Sequence, residues 1–343
     1  MKIFLVKQKK KIRFKYKAKL KSKPKSKRKL KRIIIKIFVC FITLILFLFI
    51  DKITINQNED IFKINNTSKT KVAMCTIAKK ENRYIKYFVE FYIKLGYNHI
   101  YFYDNNEIGD EKISDLPIVK KGIKTGFITV INYPRKEGNF ITDSYYECYE
   151  NFNQQYDWIS FFDIDEYLFL VPRNLTIQEF FESPRYNNCE SLQLNWRVFT
   201  DNEQLDYIDK PLNERFPKET KYKSENMHVK TSVRGRLNYS KIKKIGSQHT
   251  LYSNIIACTC SGRPTDWNYY VWPPDFKFAS LNHYVTKSIN EFFYKKYKTK
   301  VDVDKIPEKR KIKLFNYFFA VNKKTQEKVD IFNKIFHTNY TMK

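Results

Sequence analysis

The sequence predicts an α/β protein, a mostly parallel sheet flanked by helices, set behind one membrane-spanning helix. Three observations carry this. Between residues 71 and 170 short apolar runs alternate with longer segments whose apolar positions recur at helical spacing. Near the start, a basic arm runs directly into an unbroken apolar stretch. Further on, an apolar, aromatic run stops on three acids in four residues, at Asp163, Asp165 and Glu166.

The elements follow in order. An apolar run at 72–78 reads as the first strand, and 84–95 as a helix that Gly96 ends. A second strand at 99–103 stops at Asp104-Asn105-Asn106, a turn by composition. A third strand at 127–133 precedes a helix from 140 to about 154, and 158–162 makes a fourth strand ending at Asp163. Beyond residue 170, strand-like runs at 191–199 and 227–233 alternate with polar loops and read as an acceptor-side region added to the same sheet. The tail, 288–337, carries two or three helical stretches rich in Lys and aromatics.

The formal net charge of +28 invites a nucleic-acid reading, but its distribution argues otherwise. Residues 1–32 hold 17 Lys or Arg and no acid, and Lys36 adds one more; beyond residue 50 there remain 46 basic and 36 acidic residues, a net of only +10. Residues 33–50 are apolar except for Lys36 and Thr43, and as a helix would reach about 27 Å, the thickness of a thin internal membrane. They lack the small-residue cleavage site of a signal peptide and read as a retained signal anchor. Basic residues flanking a first span stay cytosolic, so the arm (1–32), the anchor (33–50), a polar stem (51–70) and a lumenal domain (71–343) make a single-pass type II arrangement. With Phe14 and Tyr16 as its only rings, the arm offers no stacking platform, and no nucleic-acid partner is expected.

Five of the six cysteines, Cys75, Cys148, Cys189, Cys258 and Cys260, follow the span without zinc-ligand spacing. In an oxidising lumen one or two disulfides form and at least one thiol is left over, with the pairing open. Sequons at Asn65, Asn66, Asn174, Asn238 and Asn339 agree with a secretory compartment.

The segment from Asp157 to Leu168 carries the chemistry. A buried strand tolerates no charge, so acids at its end need compensation. Asp163 and Asp165 would face opposite sides of a regular strand, and a joint role requires the bend where the strand stops. There they could hold Mn²⁺ or Mg²⁺ against phosphate oxygens. A solvated acidic turn is the plainer alternative.

At these residues the chain resembles glycosyltransferase family 92 and its DUF23-type relatives, over roughly residues 72–297. The resemblance rests on Lys80-Glu81-Asn82-Arg83-Tyr84-Ile85 with Glu90-Phe91-Tyr92 and Leu95-Gly96, and on Ile100-Tyr101-Phe102-Tyr103-Asp104-Asn105. It continues through Asp157-Trp158, Asp163-Ile164-Asp165-Glu166-Tyr167, Leu194-Asn195-Trp196-Arg197-Val198-Phe199, and Asn282-His283-Tyr284-Val285-Thr286-Lys287-Ser288 with Glu291-Phe292. Thr200-Asp201 stand where relatives often have Gly and Ser, a departure that bears on acceptor identity. The resemblance implies a GT-A (Rossmann-like) fold, a UDP-sugar donor with galactose as the first sugar to test, a divalent metal, inversion at the anomeric carbon and a glycan or glycoprotein acceptor. Because a translocated transferase needs nucleotide sugars on its own side of the membrane, the topology then points to a Golgi or endoplasmic reticulum membrane with the catalytic domain lumenal.

Ligands of open α/β sheets sit beyond the carboxyl ends of the strands. That places Glu81, Asn82, Arg83, Asp104 and Asn105 near the nucleotide sugar. His249 is a candidate to complete the metal shell, as a late His does in GT-A enzymes; His283 is a second, and a packed histidine is the alternative for each. Lys287 and Ser288 open a helix that could receive phosphate, or Ser288 simply caps it. Asp201, Glu203 and Asp266 are candidates for the catalytic base by position. Trp267, Tyr269, Tyr270 and Trp272 with Pro273-Pro274 offer a platform for a sugar ring. A phosphotransferase would need a glycine-rich loop that a chain with 8 Gly does not contain. A catalytically inactive lumenal glycan-binding protein of the same fold is the remaining alternative.

Overall fold

The computed structural model describes residues 68–134, 138–237, 255–265, 270–296 and 305–342, the backbone of 242–245 and 250–252, and isolated positions between 35 and 62. The chain divides into two units, Met1–Asp60 and Ile61–Lys343. In the first, five positions of the apolar run are described. All are helical, and Ile35, Phe38, Phe41 and Ile42 are exposed. Among the described residues no helix is long and apolar enough to cross a membrane; most of 33–50 lies outside them.

The second unit is mixed α/β. Strand β1 (Val72–Ala78) is buried along its whole length, as expected for a strand covered on both faces. Helix α1 (Asn82–Leu95) buries Tyr84, Ile85, Phe88, Val89, Tyr92 and Ile93 at helical spacing, each contributing roughly 1.5–3 kcal/mol on full burial. Gly96 ends it at φ 100°, where a Cβ would also lie 2.7 Å from the Gln178 side chain. There follow β2 (His99–Asp104), α2 (Pro117–Lys124), β3 (Ile128–Asn132), α3 (Phe140–Phe152), β4 (Trp158–Phe161), β5 (Glu166–Leu170), α4 (Ile177–Phe181), β6 (Ser191–Val198), α5 (Leu212–Arg215) and β7 (Val229–Arg234). The rest comprises β8 (Ile242–Ile245), β9 (Thr250–Tyr252), β10 (Ala257–Thr259), β11 (Pro264–Thr265), β12 (Ala279–His283), α6 (Ile289–Lys296), α7 (Glu308–Val321) and α8 (Gln326–Phe336).

The main sheet runs β11-β10-β6-β7-β4-β1-β2-β3. Strands β3, β2, β1 and β4 are parallel; β7 enters antiparallel between β4 and β6. At its far end β6 leaves β7 and pairs in parallel with β12, which pairs antiparallel with β5. The chain therefore crosses from the main sheet to this second strand group through the acidic turn between β4 and β5. One core cluster lies on the α1 side of the sheet, a second on the α3 side, and a third among α6, α7 and α8.

Two disulfides staple this framework. Cys75–Cys148 ties β1 to α3, and Cys189–Cys258 ties the entry to β6 to β10, while Cys260 is reduced and buried. The sequence left several elements unread. Helix α2 begins on Pro117 and contains Gly122, and β5 opens on a buried glutamate. The short strand β12 owes its place to β5 and β6 on either side.

Candidate active site

The acidic turn is built from both of its ends. Strand β4 is fully buried, Phe162 and Ile164 anchor the turn in the core, and Glu166 N–H donates to the Asp163 carbonyl at 3.0 Å. The two aspartates straddle Ile164 and enter different charge networks. Asp163, about one-third exposed, accepts from the Tyr145 hydroxyl at 3.0 Å and pairs with Lys230 Nζ at 2.9 Å. Lys230, buried in β7, also reaches Glu166 Oε2 at 3.5 Å.

Asp165 is completely buried. Its Oδ2 receives Lys287 Nζ at 2.6 Å and the Lys295 ammonium, and Lys295 further contacts Glu81 Oε1 at 3.3 Å. Among the described residues its Oδ1 has no hydrogen-bond partner, and it lies 3.7 Å from His283 Nε2. The strand register that sets His283 opposite Glu166 brings the imidazole there.

Burial alone would raise the Asp165 pKa; Lys287 and then Lys295 overcome it and hold the carboxyl well below the usual range. Burial pushes Glu166 up to about 8, helped by the neighbouring Asp163 and Asp165 and opposed by Lys230. His283 is driven well below its ordinary value, chiefly by burial, so its imidazole is neutral.

Helix α6 supplies Lys295 and is fixed by Glu291. The Glu291 carboxylate accepts from Arg215 of α5, from the Tyr84 hydroxyl of α1 at 2.8 Å and from Ser288 Oγ at 2.6 Å. Ser288 therefore caps α6. Lys287 sits just before it with φ 53°, a left-handed backbone unusual for a side-chain-bearing residue.

Beside this charged centre, at the carboxyl ends of β1 and β2, lies a cleft of about 460 Å³ lined by Lys80, Asn82, Arg83, Asn106, Asp110 and Tyr294, among others. The Arg83 guanidinium lies over the Tyr294 ring at 4.3 Å and the Tyr207 ring at 5.0 Å. Asn82 bonds to Glu111 and Asn106. Asp104 is occupied by the backbone, accepting from Asn106 N–H at 3.0 Å and Ile113 N–H at 2.9 Å, so it shapes the loop. The Asn105 side-chain amide is buried, and among the described residues neither of its atoms has a hydrogen-bond partner.

The sequence-nominated bases fall elsewhere. Asp201 is buried against Lys328 at 2.6 Å, and exposed Glu203 pairs with Lys323 at 3.1 Å. Both line a second cleft of about 470 Å³ between the end of β6 and the end of α7. His249, Asp266, Trp267 and Tyr269 lie outside the described residues. Tyr270 and Trp272 are exposed. A chain of ring contacts runs from Tyr270 to His228 (4.6 Å), Trp196 (4.9 Å) and His283 (4.2 Å).

Sequence reasoning missed Lys230, Lys295 and the Trp196–His228 pair. A lysine inside the otherwise uncharged strand run 229–233 was a readable signal for the first. For the second, Glu291 and Lys295 stand four residues apart on one helix face, just after Lys287-Ser288.

The donor set bears on a divalent cation. A buried carboxylate oxygen without a hydrogen bond and a neutral imidazole nitrogen 3.7 Å away suit Mn²⁺ or Mg²⁺. Among the described residues no group of three or more His, Cys, Asp or Glu forms a ready-made metal cage. Of the residues nominated as metal ligands, Asp165 and His283 approach each other and would be two protein ligands, while Asp163 is engaged by Lys230 and Tyr145; the remaining positions would fall to diphosphate oxygens and water.

A mostly parallel sheet with an acidic, lysine-compensated turn beside a polar cleft at its carboxyl edge defines the class, an α/β protein with a charged site at the strand ends. The chain belongs to glycosyltransferase family 92, whose profile matches residues 69–339. No curated protein matches it. Among solved structures it is similar to S. aureus TarS 1-349 at 12% identity, covering 73% of this chain and 71% of that one with a TM-score of 0.37. It is also similar to a longer S. aureus TarS structure (12%, 74% and 44%, TM-score 0.34). The apo WbbM bifunctional glycosyltransferase gives 13% identity, 38% and 24% coverage and a TM-score of 0.24. The chain thus spans less than half the length of the last two.

Proposed function

We propose that this chain is a metal-dependent inverting glycosyltransferase that moves a sugar, galactose first, from a UDP-sugar to a glycan or glycoprotein acceptor. The observation that carries the reading is Asp165, a fully buried carboxylate with one oxygen turned to neutral His283, beside the cleft at the ends of β1 and β2. Arg83, Asn82 and Asn105 would receive the nucleoside. Lys230, Lys287 and Lys295, here paired with Asp163, Asp165 and Glu81, are the cations that would meet a diphosphate.

In the reaction the acceptor oxygen bonds to the anomeric carbon while the carbon–oxygen bond to the diphosphate breaks. The diphosphate leaves with the bonding pair, and the acceptor proton passes to a base. A bound divalent ion supplies Lewis-acid stabilisation of that leaving group. Asp165 and His283 would hold that ion, and Lys287 and Lys295 would share the charge of the leaving group. At the exposed end of the ring chain that runs from His283 through Trp196 and His228, Tyr270 would offer the acceptor sugar a stacking surface. Along that ring chain Glu225 lies 3.8 Å from His228, its pKa raised by burial. That pair is better placed as proton acceptor than Asp201, whose carboxylate is committed to Lys328.

The type II topology, with 33–50 as anchor and the catalytic unit in a Golgi or reticulum lumen, belongs to the same proposal. It rests on the sequence, the basic arm followed by the apolar run 33–50, and agrees with two disulfides in the catalytic unit. The test is donor hydrolysis against UDP-, GDP- and CMP-sugars with and without Mn²⁺. UDP-sugar turnover that needs metal and disappears in Asp165→Ala is expected. Turnover indifferent to chelator would sink the metal mechanism.

A further inference from the structure

Lys287 and Lys295 place two ammonium groups on the same oxygen of Asp165. Lys287 alone suffices to neutralise that carboxylate, and the two ammoniums repel each other, while Lys295 is shared with a second carboxylate, Glu81, at 3.3 Å. The two lysines are unequal. Lys287 is 1% exposed and fixed by its left-handed backbone, whereas the Lys295 side chain is 27% exposed on the last turn of α6 and carries a flexible four-carbon stem.

The position of Lys295 matters as much as its charge. It contacts Glu81, and the residues next to this pair in the chain, Tyr294 and Asn82, both line the cleft at the ends of β1 and β2. Lys295 therefore stands at the seam between cleft and acidic turn. A diphosphate reaching from a nucleoside in the cleft to Asp165 must cross that seam. A divalent ion approaching Asp165 Oδ1 and His283 meets the same ammonium as a competitor.

Resting on the donor-site reading above, we propose that Lys295 is a displaceable counter-ion that becomes a diphosphate ligand. Its ammonium neutralises Asp165 and Glu81 until a divalent cation engages Asp165, and then passes to the diphosphate oxygens. Metal and diphosphate binding are thereby coupled through one side chain, because each makes the Lys295 position favoured by the other more stable.

The test is calorimetric titration of the full-length chain, wild type against Lys295→Met, first with Mn²⁺ alone and then with UDP and with GDP in saturating Mn²⁺. The two shifts should have opposite signs. Removing the competitor should tighten Mn²⁺ alone by at least about fivefold. Removing the ligand should weaken nucleoside diphosphate binding by about 10- to 100-fold, the range for a lost charge-assisted hydrogen bond. Lys295→Arg, which keeps the charge, should retain diphosphate affinity within a few-fold. Should Lys295→Met fail to fold, Lys295→Gln is titrated in its place. Mn²⁺ affinity unchanged or weakened in the neutral variant, or diphosphate affinity unchanged, overturns the proposal while leaving the donor site standing. A wild-type chain that binds neither UDP nor GDP in Mn²⁺ overturns both.

Discussion

Two buried aspartates sit near the carboxyl edge of the same sheet, and they differ in how their charge is met. Asp201 has one lysine, Lys328, and its remaining bonds are local: it accepts from Glu203 N–H at 2.9 Å, and its own N–H donates to Asn322. Asp165 has two lysines on one oxygen and a second oxygen without a hydrogen bond. Burial raises the Asp201 carboxyl above its ordinary value even with Lys328 beside it, whereas Lys287 and Lys295 drive Asp165 far below. A one-to-one ion pair framed by local backbone bonds holds a fold together. At Asp165 two lysines and two carboxylates, Asp165 and Glu81, form a shared network in which Lys295 has a choice of partner.

The comparison breaks most visibly under charge removal. Asp165→Asn keeps the shape of the turn and should lower donor turnover by about 100- to 1,000-fold, the effect of removing one transition-state electrostatic contact. Asp201→Asn should do the reverse: kcat stays within about threefold below the melting transition, while stability falls by about 3–5 kcal/mol because Lys328 is left buried without its counter-charge. Paired kinetic assays and denaturant melts of the two variants decide this. An Asp201→Asn protein with native stability and no turnover would restore Asp201 as the base.

How much of this was legible beforehand depends on the period of the pattern. Strand β1 and helix α1 were readable to within two residues because their periodicities are local properties of the chain. The acidic turn was readable because charge directly after a buried strand is anomalous by itself. Lys295 and Trp196 were not, since their significance comes from contacts more than 80 residues distant in sequence, to Asp165 for one and to His283 for the other. Asp201 and Glu203 were nominated by position along the chain, which says nothing of which lysine waits opposite. The pairing of four cysteines likewise became definite only when the sheet order set Cys75 beside α3 and Cys189 beside β10.

Those staples sharpen the contrast between holding and acting. Cys189→Ser with Cys258→Ser should lower stability by about 2–4 kcal/mol, because the link closes a long loop in the unfolded chain. It should leave nucleoside diphosphate affinity unchanged, since neither cysteine touches the turn or the cleft. A melt read by fluorescence, beside a UDP titration, separates the two. Loss of UDP affinity without loss of stability would mean that the β6–β10 edge shapes the donor site directly.

The smallest effect belongs to His99, at the start of β2 and remote from the acidic turn. Its Nε2 shares a 2.9 Å hydrogen bond with Thr129 Oγ1, and burial lowers its pKa from 6.5 to about 4. The folded state thus holds its proton less tightly than the unfolded chain does. Stability from this group is complete above pH 6.5, declines as pH falls from 6.5 toward 4, and levels off below that. In denaturant melts across this window the wild type should lose stability with a slope of up to one proton relative to His99→Gln. Parallel curves for the two proteins would mean that the imidazole titrates normally, and that the β2 edge is wetter than its packing against Tyr101 implies.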